Sequence, residues 1–251
     1  MPLDSFLDVL DEPQRRLVVA NRTEPEPFQR MLEDLFEQQS VAVDEATAAA
    51  YDEDTVLLVE DGDVVATSPL AALQDAILMV NSDLYMTGTR GMEATDVPAV
   101  IDGLAEAPFS LRGYPASNKE KLLLILISRH IERKAYQHGE GTLRSSFQRL
   151  SRIADERGTR EAYELVASTD VDVHVYGQPD WTPDEEFGVT MHGGYKWDFR
   201  YSWFVLYDPP EDSDEGAALL AIETDPGEWE GFWTYQQSLV DDLAAYIRQH
   251  L

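Results

Sequence analysis

The sequence predicts an α/β fold in two halves, residues 1–112 and residues 113–251. Three observations predict it. Short β-branched runs alternate with helical spacings through the first half. A helical stretch then contains a run, Leu122–Ile127, that is apolar on every face and so predicts a buried helix. Aromatic-rich, strand-like segments fill the last third before a final amphipathic stretch.

Taken in order, Asp4–Leu10 reads as a short helix and Arg16–Asn21, centred on Leu17, Val18 and Val19, as a strand. Pro25 and Pro27 punctuate a turn, and Phe28–Gln38 carries apolar residues at helical spacing. Val41–Val43 is a second strand. Thr55–Glu60 and Asp63–Thr67 flank Asp61 and Gly62, the signature of a hairpin. Ser68 and Pro69 suit the N-cap and first turn of a helix with Leu70, Leu73, Ile77 and Val80 on its apolar face. Val97–Ala105 reads as a helix and Pro108–Leu111 as a short strand.

Gly113, Tyr114 and Pro115 break the chain before a long helix, capped by Ser117 and running to about Gln137. Its first half is apolar, whereas Arg129, His130, Arg133 and Lys134 in its second half require solvent or a partner. Thr142–Gln148 reads as a strand, Asp155–Ala167 as a helix, and Val171–Tyr176 as a half-buried strand by its alternation. Trp181 and the acidic run Asp184–Glu186 fall in a loop, as does Trp197; His192, Gly193 and Gly194 read as a turn. Ser202–Tyr207, Ala217–Glu223 and Trp229–Tyr235 are strands, and Ser238 caps the last helix.

Composition narrows the function. There are 48 acids against 19 bases, a formal net charge of −29, and only four of the bases are Lys. Carboxylates hold water and hydrated cations, so this surface suits a cytoplasm of molar salt. With no Cys, disulfides, thiolate metal sites, cysteine nucleophiles, cysteinyl-flavin adducts and thioether-linked bilins are excluded, though noncovalent pigment is not. The first residues lack a signal peptide's charged and apolar regions, and no apolar run approaches the ~20 residues of a membrane span. A cytoplasmic location away from membranes is expected.

The cations are not spread evenly. Between Arg112 and Arg160 there are eleven Lys or Arg against five acids; elsewhere the ratio is eight to 43. At 1 M salt the Debye length is only about 3 Å, so these cations act at contact distance, through Arg forks on carboxylate or phosphate. General nucleic-acid binding is disfavoured on the same ground.

From about Asn118 onward the chain resembles the DICT domain, a sensory module named for diguanylate cyclases and two-component systems. Lys119–Leu124 and Ser128–Glu132 resemble its opening helix, and Phe147 and Gln148 the end of its first strand. Val173–Asp180 (VHVYGQPD), Trp203–Pro209 (WFVLYDP) and Ala218–Glu223 resemble its later strands, and Gly231–Val240 (GFWTYQQSLV) its closing motif. The resemblance implies a mixed sheet flanked by a long buried helix and a C-terminal helix. It implies a stand-alone protein from a salt-loving archaeal lineage that senses a signal; no cyclase, kinase or helix-turn-helix output is recognisable.

Within this half, Arg129 and Arg133 share a face of the long helix at i, i+4, and Arg144, Arg149, Arg152, Arg157 and Arg160 follow. Convergent guanidinium groups would hold an anionic ligand, whereas pairing with the protein's own carboxylates would make them structural. All five Trp lie in the last third; they make either an aromatic cup for a planar ligand or a sheet core. The ligand contacts expected are Arg129, Arg133, Arg149 and Arg152 for the anion and Trp181 or Trp197 for stacking. Asp170, Asp172 and His174 share one strand face, either as metal ligands or, as expected here, as a solvated face. No GxGxxG, P-loop, HExxH, GxSxG or triad spacing occurs, so no catalysis is expected. The expected function is sensing of a small molecule of unknown identity, relayed to a signalling partner by contact. The rival is a constitutive docking module without a ligand.

Overall fold

The structure, a computed structural model, describes residues 2–9, 13–24, 30, 33, 36, 41–76, 97–112, 121–155, 157–182, 187–210 and 213–251. The helix expected over Phe28–Gln38, the turn at Pro25 and Pro27, Ile77 and Val80, the break at Gly113–Pro115, the Ser117 cap and the acidic run Asp184–Glu186 lie wholly or largely outside these residues.

A small sheet has the order β2-β1-β3-β4. Its strands are β1 (Arg15–Ala20), β2 (Val41–Ala46), β3 (Thr55–Glu60) and β4 (Asp63–Pro69). β1 is parallel to β2 and antiparallel to β3, and β3 and β4 form the expected hairpin. Ser68 and Pro69 stay in β4, so helix begins only at Leu70. Ser68 is buried, and its hydroxyl accepts from the Val100 N–H instead of capping that helix. The helix expected over Val97–Ala105 is a single turn, α1 (Ala99–Asp102).

The large sheet has seven strands in the order β5-β11-β10-β9-β6-β7-β8. They are β5 (Phe109–Arg112), β6 (Glu140–Arg149), β7 (Asp170–Gln178), β8 (Thr190–Gly193), β9 (Ser202–Asp208), β10 (Ala217–Asp225) and β11 (Glu228–Thr234). β6, β7 and β8 run parallel; the rest pair antiparallel. Its edge strand β5 comes from the N-terminal side of position 112. β8 occupies residues expected to turn: Tyr176 pairs with His192 and Gly177 with Gly193, an edge strand too short to show alternation.

Period two divides the sheet into two faces. Leu143, Val171, Val173, Val175, Val205, Tyr207, Leu219 and Trp233 share a core cluster with residues of α2 (Lys121–His138) and α4 (Arg157–Ala167). That cluster continues without a break into Leu17, Val19 and Leu58 of the small sheet. On the other face Tyr176, Phe204, Leu206, Leu220 and Phe232 pack with Leu239, Val240, Leu243 and Ile247 of α6 (Gln237–His250) and with Leu3 and Phe6 of a 3-10 helix, Leu3–Val9. Short helices α3 (Ser151–Asp155) and α5 (Trp197–Tyr201) follow β6 and precede β9. Trp197 thus opens a helix where a loop was expected.

The last helix starts at Gln237 with Gln236 at its N-cap, two residues before Ser238. The reason lies at Glu106. Its carboxylate accepts from the Thr234 hydroxyl, the Tyr235 N–H and the Gln236 amide, placing negative charge where the helix dipole favours it.

Candidate functional site

The expected arginine set does not converge. Arg129 points inward: its Nη1 donates to Glu132, which is 2% exposed, and its Nη2 donates to Thr159 Oγ1 at 3.1 Å. Next to this pair the Tyr163 hydroxyl, fully buried, donates to Ser145. Burial first, then the Glu132 charge, pushes the Tyr163 phenol well above its usual value. Arg129 is therefore part of a buried structural network between α2, α4 and β6. Arg133 lies on the same helix, half-buried, one turn further on. Arg160 pairs with Glu164 at 2.8 Å and sits 5.6 Å over the Phe187 ring. The Trp181 ring meets Phe187 edge-on at 6.0 Å, on that same side of the sheet.

The aromatic cup is likewise divided. Trp229 and Trp233 are 3% exposed and belong to the core, with Trp203 packed against it. Trp197 is 44% exposed and lies 5.7 Å from the Tyr201 ring.

Arg149 and Arg152 do meet, at the carboxyl ends of the parallel strands. There a cleft of about 260 Å³ is lined by Gln148, Arg149, Arg152, Gln178, Arg200 and Tyr201, with Glu223 and Trp229 at its far wall. Crevices outside the carboxyl ends of parallel strands are the usual ligand position in open α/β sheets. β6 ends here with Arg149 paired to Gln178 of β7. The register shifts just before, and Gln148 has a left-handed φ of 55°. That bulge buries the Gln148 amide, which donates to the Ser202 carbonyl and accepts from Arg152 Nη1. Arg152 is therefore positioned at one wall by α3. Arg200 enters from α5, its guanidinium 5.2 Å over the Tyr201 ring, and is exposed.

Among the described residues the carboxylates at this cleft are Glu223 and Asp180. Glu223 accepts from the Gly227 N–H in the following turn. Asp180 lies 3.7 Å from Arg149 Nε but is engaged elsewhere: it accepts from the Ser151 N–H and hydroxyl, both at 2.9 Å, capping α3. Burial pushes the Asp180 carboxyl up, but the Ser151 hydrogen bonds and the Arg149 charge outweigh it and hold the group below its usual value. Its share of stability is therefore present above about pH 4, the unfolded carboxylate value, and fades as pH falls through the lower folded value. Asp180→Ala is expected to destabilise the domain by about 1 kcal/mol at neutral pH, read as a shift in urea midpoint, with the difference vanishing in acid.

Arg200 and Tyr201 were not among the expected contacts. They stand some fifty residues from Arg149 in sequence, and only the passage of α5 over the ends of β6 and β7 brings them together. The available signal was a third arginine beside an aromatic residue within one turn of Trp197. A larger hollow, about 940 Å³ along β1 and β2, has its arginines engaged: Arg15 by Glu60 and the Ala105 carbonyl, Arg16 by Asp44 at 3.9 Å. Among the described residues no group of three or more His, Asp or Glu is placed to hold a metal ion, and no helix is long and apolar enough to cross a membrane. Asp170 and Asp172 form an exposed strand face, as expected, whereas His174, expected to share it, is half-buried and lies 2.9 Å from His192.

A mixed seven-stranded sheet with helices on both faces and a cationic cleft at its parallel strand ends defines an α/β domain. The family model described as the sensory domain in diguanylate cyclases and two-component systems, DICT, matches residues 99–224, half of the chain, and the chain belongs to that family. It is therefore a sensory-domain protein of signalling systems. No curated protein matches the chain. Among solved structures, the crystal structure of polyphosphate kinase from Porphyromonas gingivalis aligns at 14% identity with a TM-score of 0.38, over 61% of this chain and 25% of that one. The chain spans a quarter of that protein's length, and the likeness is too slight to bear on function.

Proposed function

We propose that the chain is a non-enzymatic cytoplasmic sensor that takes an anionic small molecule with a planar part into the cleft of Arg149, Arg152 and Arg200. The carrying observation is the convergence of three guanidinium groups on about 260 Å³ at the carboxyl ends of the parallel strands. Arg149 and Arg152, expected from the sequence, supply forks for carboxylate or phosphate oxygens. Tyr201, with Trp197 beside it, supplies a ring face for stacking.

The relay runs through packing. Arg152 sits on α3, α3 abuts α4, and α4 packs on α2. Leu123, Leu124 and Ile127 of α2 share one cluster with the small sheet, so that sheet is the unit that a signalling partner would read. A ligand shifts this arrangement only by favouring one packing over another.

A thermal-shift series in molar KCl with mononucleotides, cyclic dinucleotides and dicarboxylates tests the reading. At least one class should raise the melting point, with a gain approaching ~2.7 kcal/mol at a hundredfold excess over Kd. A melting point indifferent to all three classes, with a fixed protein partner co-purifying, overturns sensing in favour of docking.

A further inference from the structure

Arg144 lies on the face of the large sheet opposite α2. It is 6% exposed, and its Nε and Nη1 are buried without a hydrogen-bond acceptor. Among the described residues no other side chain leaves two buried nitrogens so. Burial penalises a guanidinium in that state, and only the Tyr176 hydroxyl and the Asp208 charge offset the penalty, in part. Acid is plentiful in this chain, yet no carboxylate of a described residue forms an ion pair with Arg144. Its charge is felt by the Tyr176 hydroxyl and by Asp208, which lies two residues along β9 from its cross-strand neighbour Leu206.

The surroundings are as unusual as the arginine. His174 is its direct partner on β7, and Tyr176 and His192 form the next row on the same face. His174 Nδ1 lies 2.9 Å from His192 Nε2, and the His192 ring stacks on Tyr176 at 4.4 Å and 9°. Both imidazoles are half-buried beside the buried Arg144. From α6, Arg248 adds a second positive field and Asp241 a weak opposing one at Asp208.

We infer that this cluster is a second anion site, separate from the Arg149 cleft, in which Arg144 grips an oxyanion and the His174–His192 pair takes up a proton as it binds. The inference does not rest on the cleft reading.

The proton count follows from the 2.9 Å contact. Two neutral rings share one N–H between these nitrogens. A single added proton goes to the outer nitrogen of the donating ring and leaves the contact intact; a second would fall on the accepting nitrogen and force two donors together. Burial first, then the Arg144 charge, pulls both histidines below their usual value; the second imidazole adds to this at His174, while Asp172 opposes it. An anion on Arg144 cancels part of that positive field. The pair then protonates more readily, and by linkage the protonated pair holds the anion more tightly.

Sulfate is a suitable probe because its own charge is constant near neutrality. Titrated into the full chain at fixed ionic strength, it should move two of the five histidine Cε1–H resonances and raise their titration midpoints. Its affinity should rise as pH falls from 8, approaching about tenfold once the pH lies below the midpoint of the free pair, matching a one-unit rise in the pair. Arg144→Met should abolish these shifts while melting close to the parent, since the buried charge removed is met only by the Tyr176 hydroxyl and the Asp208 charge. His192→Gln should still bind sulfate but with a pH dependence below about twofold. Arg200→Gln, in the other cleft, should change none of this. Sulfate that leaves both midpoints unmoved in the parent, or moves them equally in Arg144→Met, overturns the inference. Should Arg144→Met not fold, a His192→Gln protein with undiminished pH dependence overturns it equally.

Discussion

Arg129→Leu is expected to destabilise the protein by about 3–5 kcal/mol, the largest loss of any single charge substitution in the chain. The argument starts from Glu132, 2% exposed on the sheet-facing side of α2. Arg129 is its charged partner, on the same helix one turn earlier. Leucine fills the space of the aliphatic stem but leaves the carboxylate in the core without its charged partner, and it removes the hydrogen bond to Thr159 that ties α2 to α4. The two charges together are a different matter. Replacing both Arg129 and Glu132 with leucine should recover most of the loss, because a buried pair barely repays its own desolvation. A double-mutant cycle on urea midpoints measures the coupling. A single-variant loss under about 1 kcal/mol would contradict the structural role given to Arg129, returning it to the candidates for ligand contact.

That role shows where sequence reasoning stops. The i, i+4 spacing of Arg129 and Arg133 correctly placed them on one helical face, but spacing carries no information on what the face meets. Glu132, one residue from that face, was the missing half. Strand alternation carried more. Leu143 and Ser145 on one side of β6 put Arg144 on the other, away from Arg129, and the clean alternation of Val171–Tyr176 gave β7 both of its faces. The long apolar helix, the hairpin at Asp61 and Gly62 and the terminal amphipathic helix were legible because each obeys a local rule of period or turn chemistry. β8 was not, since four edge residues containing a glycine show no period and acquire strand geometry only by pairing with β7. The cleft was legible by half. Arg149 and Arg152 are neighbours in sequence, whereas Arg200 and Tyr201 arrive through the crossing of α5, a feature of topology and not of any local window. The histidine pair was hidden for the same reason: His174 and His192 are eighteen residues apart and meet only across β7 and β8.

Arg152→Gln combined with Arg200→Gln is expected to lower affinity for whichever nucleotide or dicarboxylate the thermal-shift series selects by a hundredfold or more. Each guanidinium lost removes a charge-assisted hydrogen bond of about 1.5–3 kcal/mol, so two together amount to roughly 3–6 kcal/mol of binding. The fold should tolerate the pair. Arg200 is exposed on α5, and glutamine at 152 still offers an amide to the Gln148 side chain, so the change in stability should stay near 1 kcal/mol. The loss should also persist in molar KCl, because contact-distance forks survive where a Debye length of about 3 Å has erased long-range attraction. Lysine at the same two positions separates charge from geometry: it keeps the positive field and removes the planar fork, and should recover no more than about tenfold. Isothermal titration of the three proteins reads all of these. Affinity unchanged in a folded Arg152→Gln, Arg200→Gln protein would place the ligand outside this cleft, and with it the start of the packing path through α3, α4 and α2.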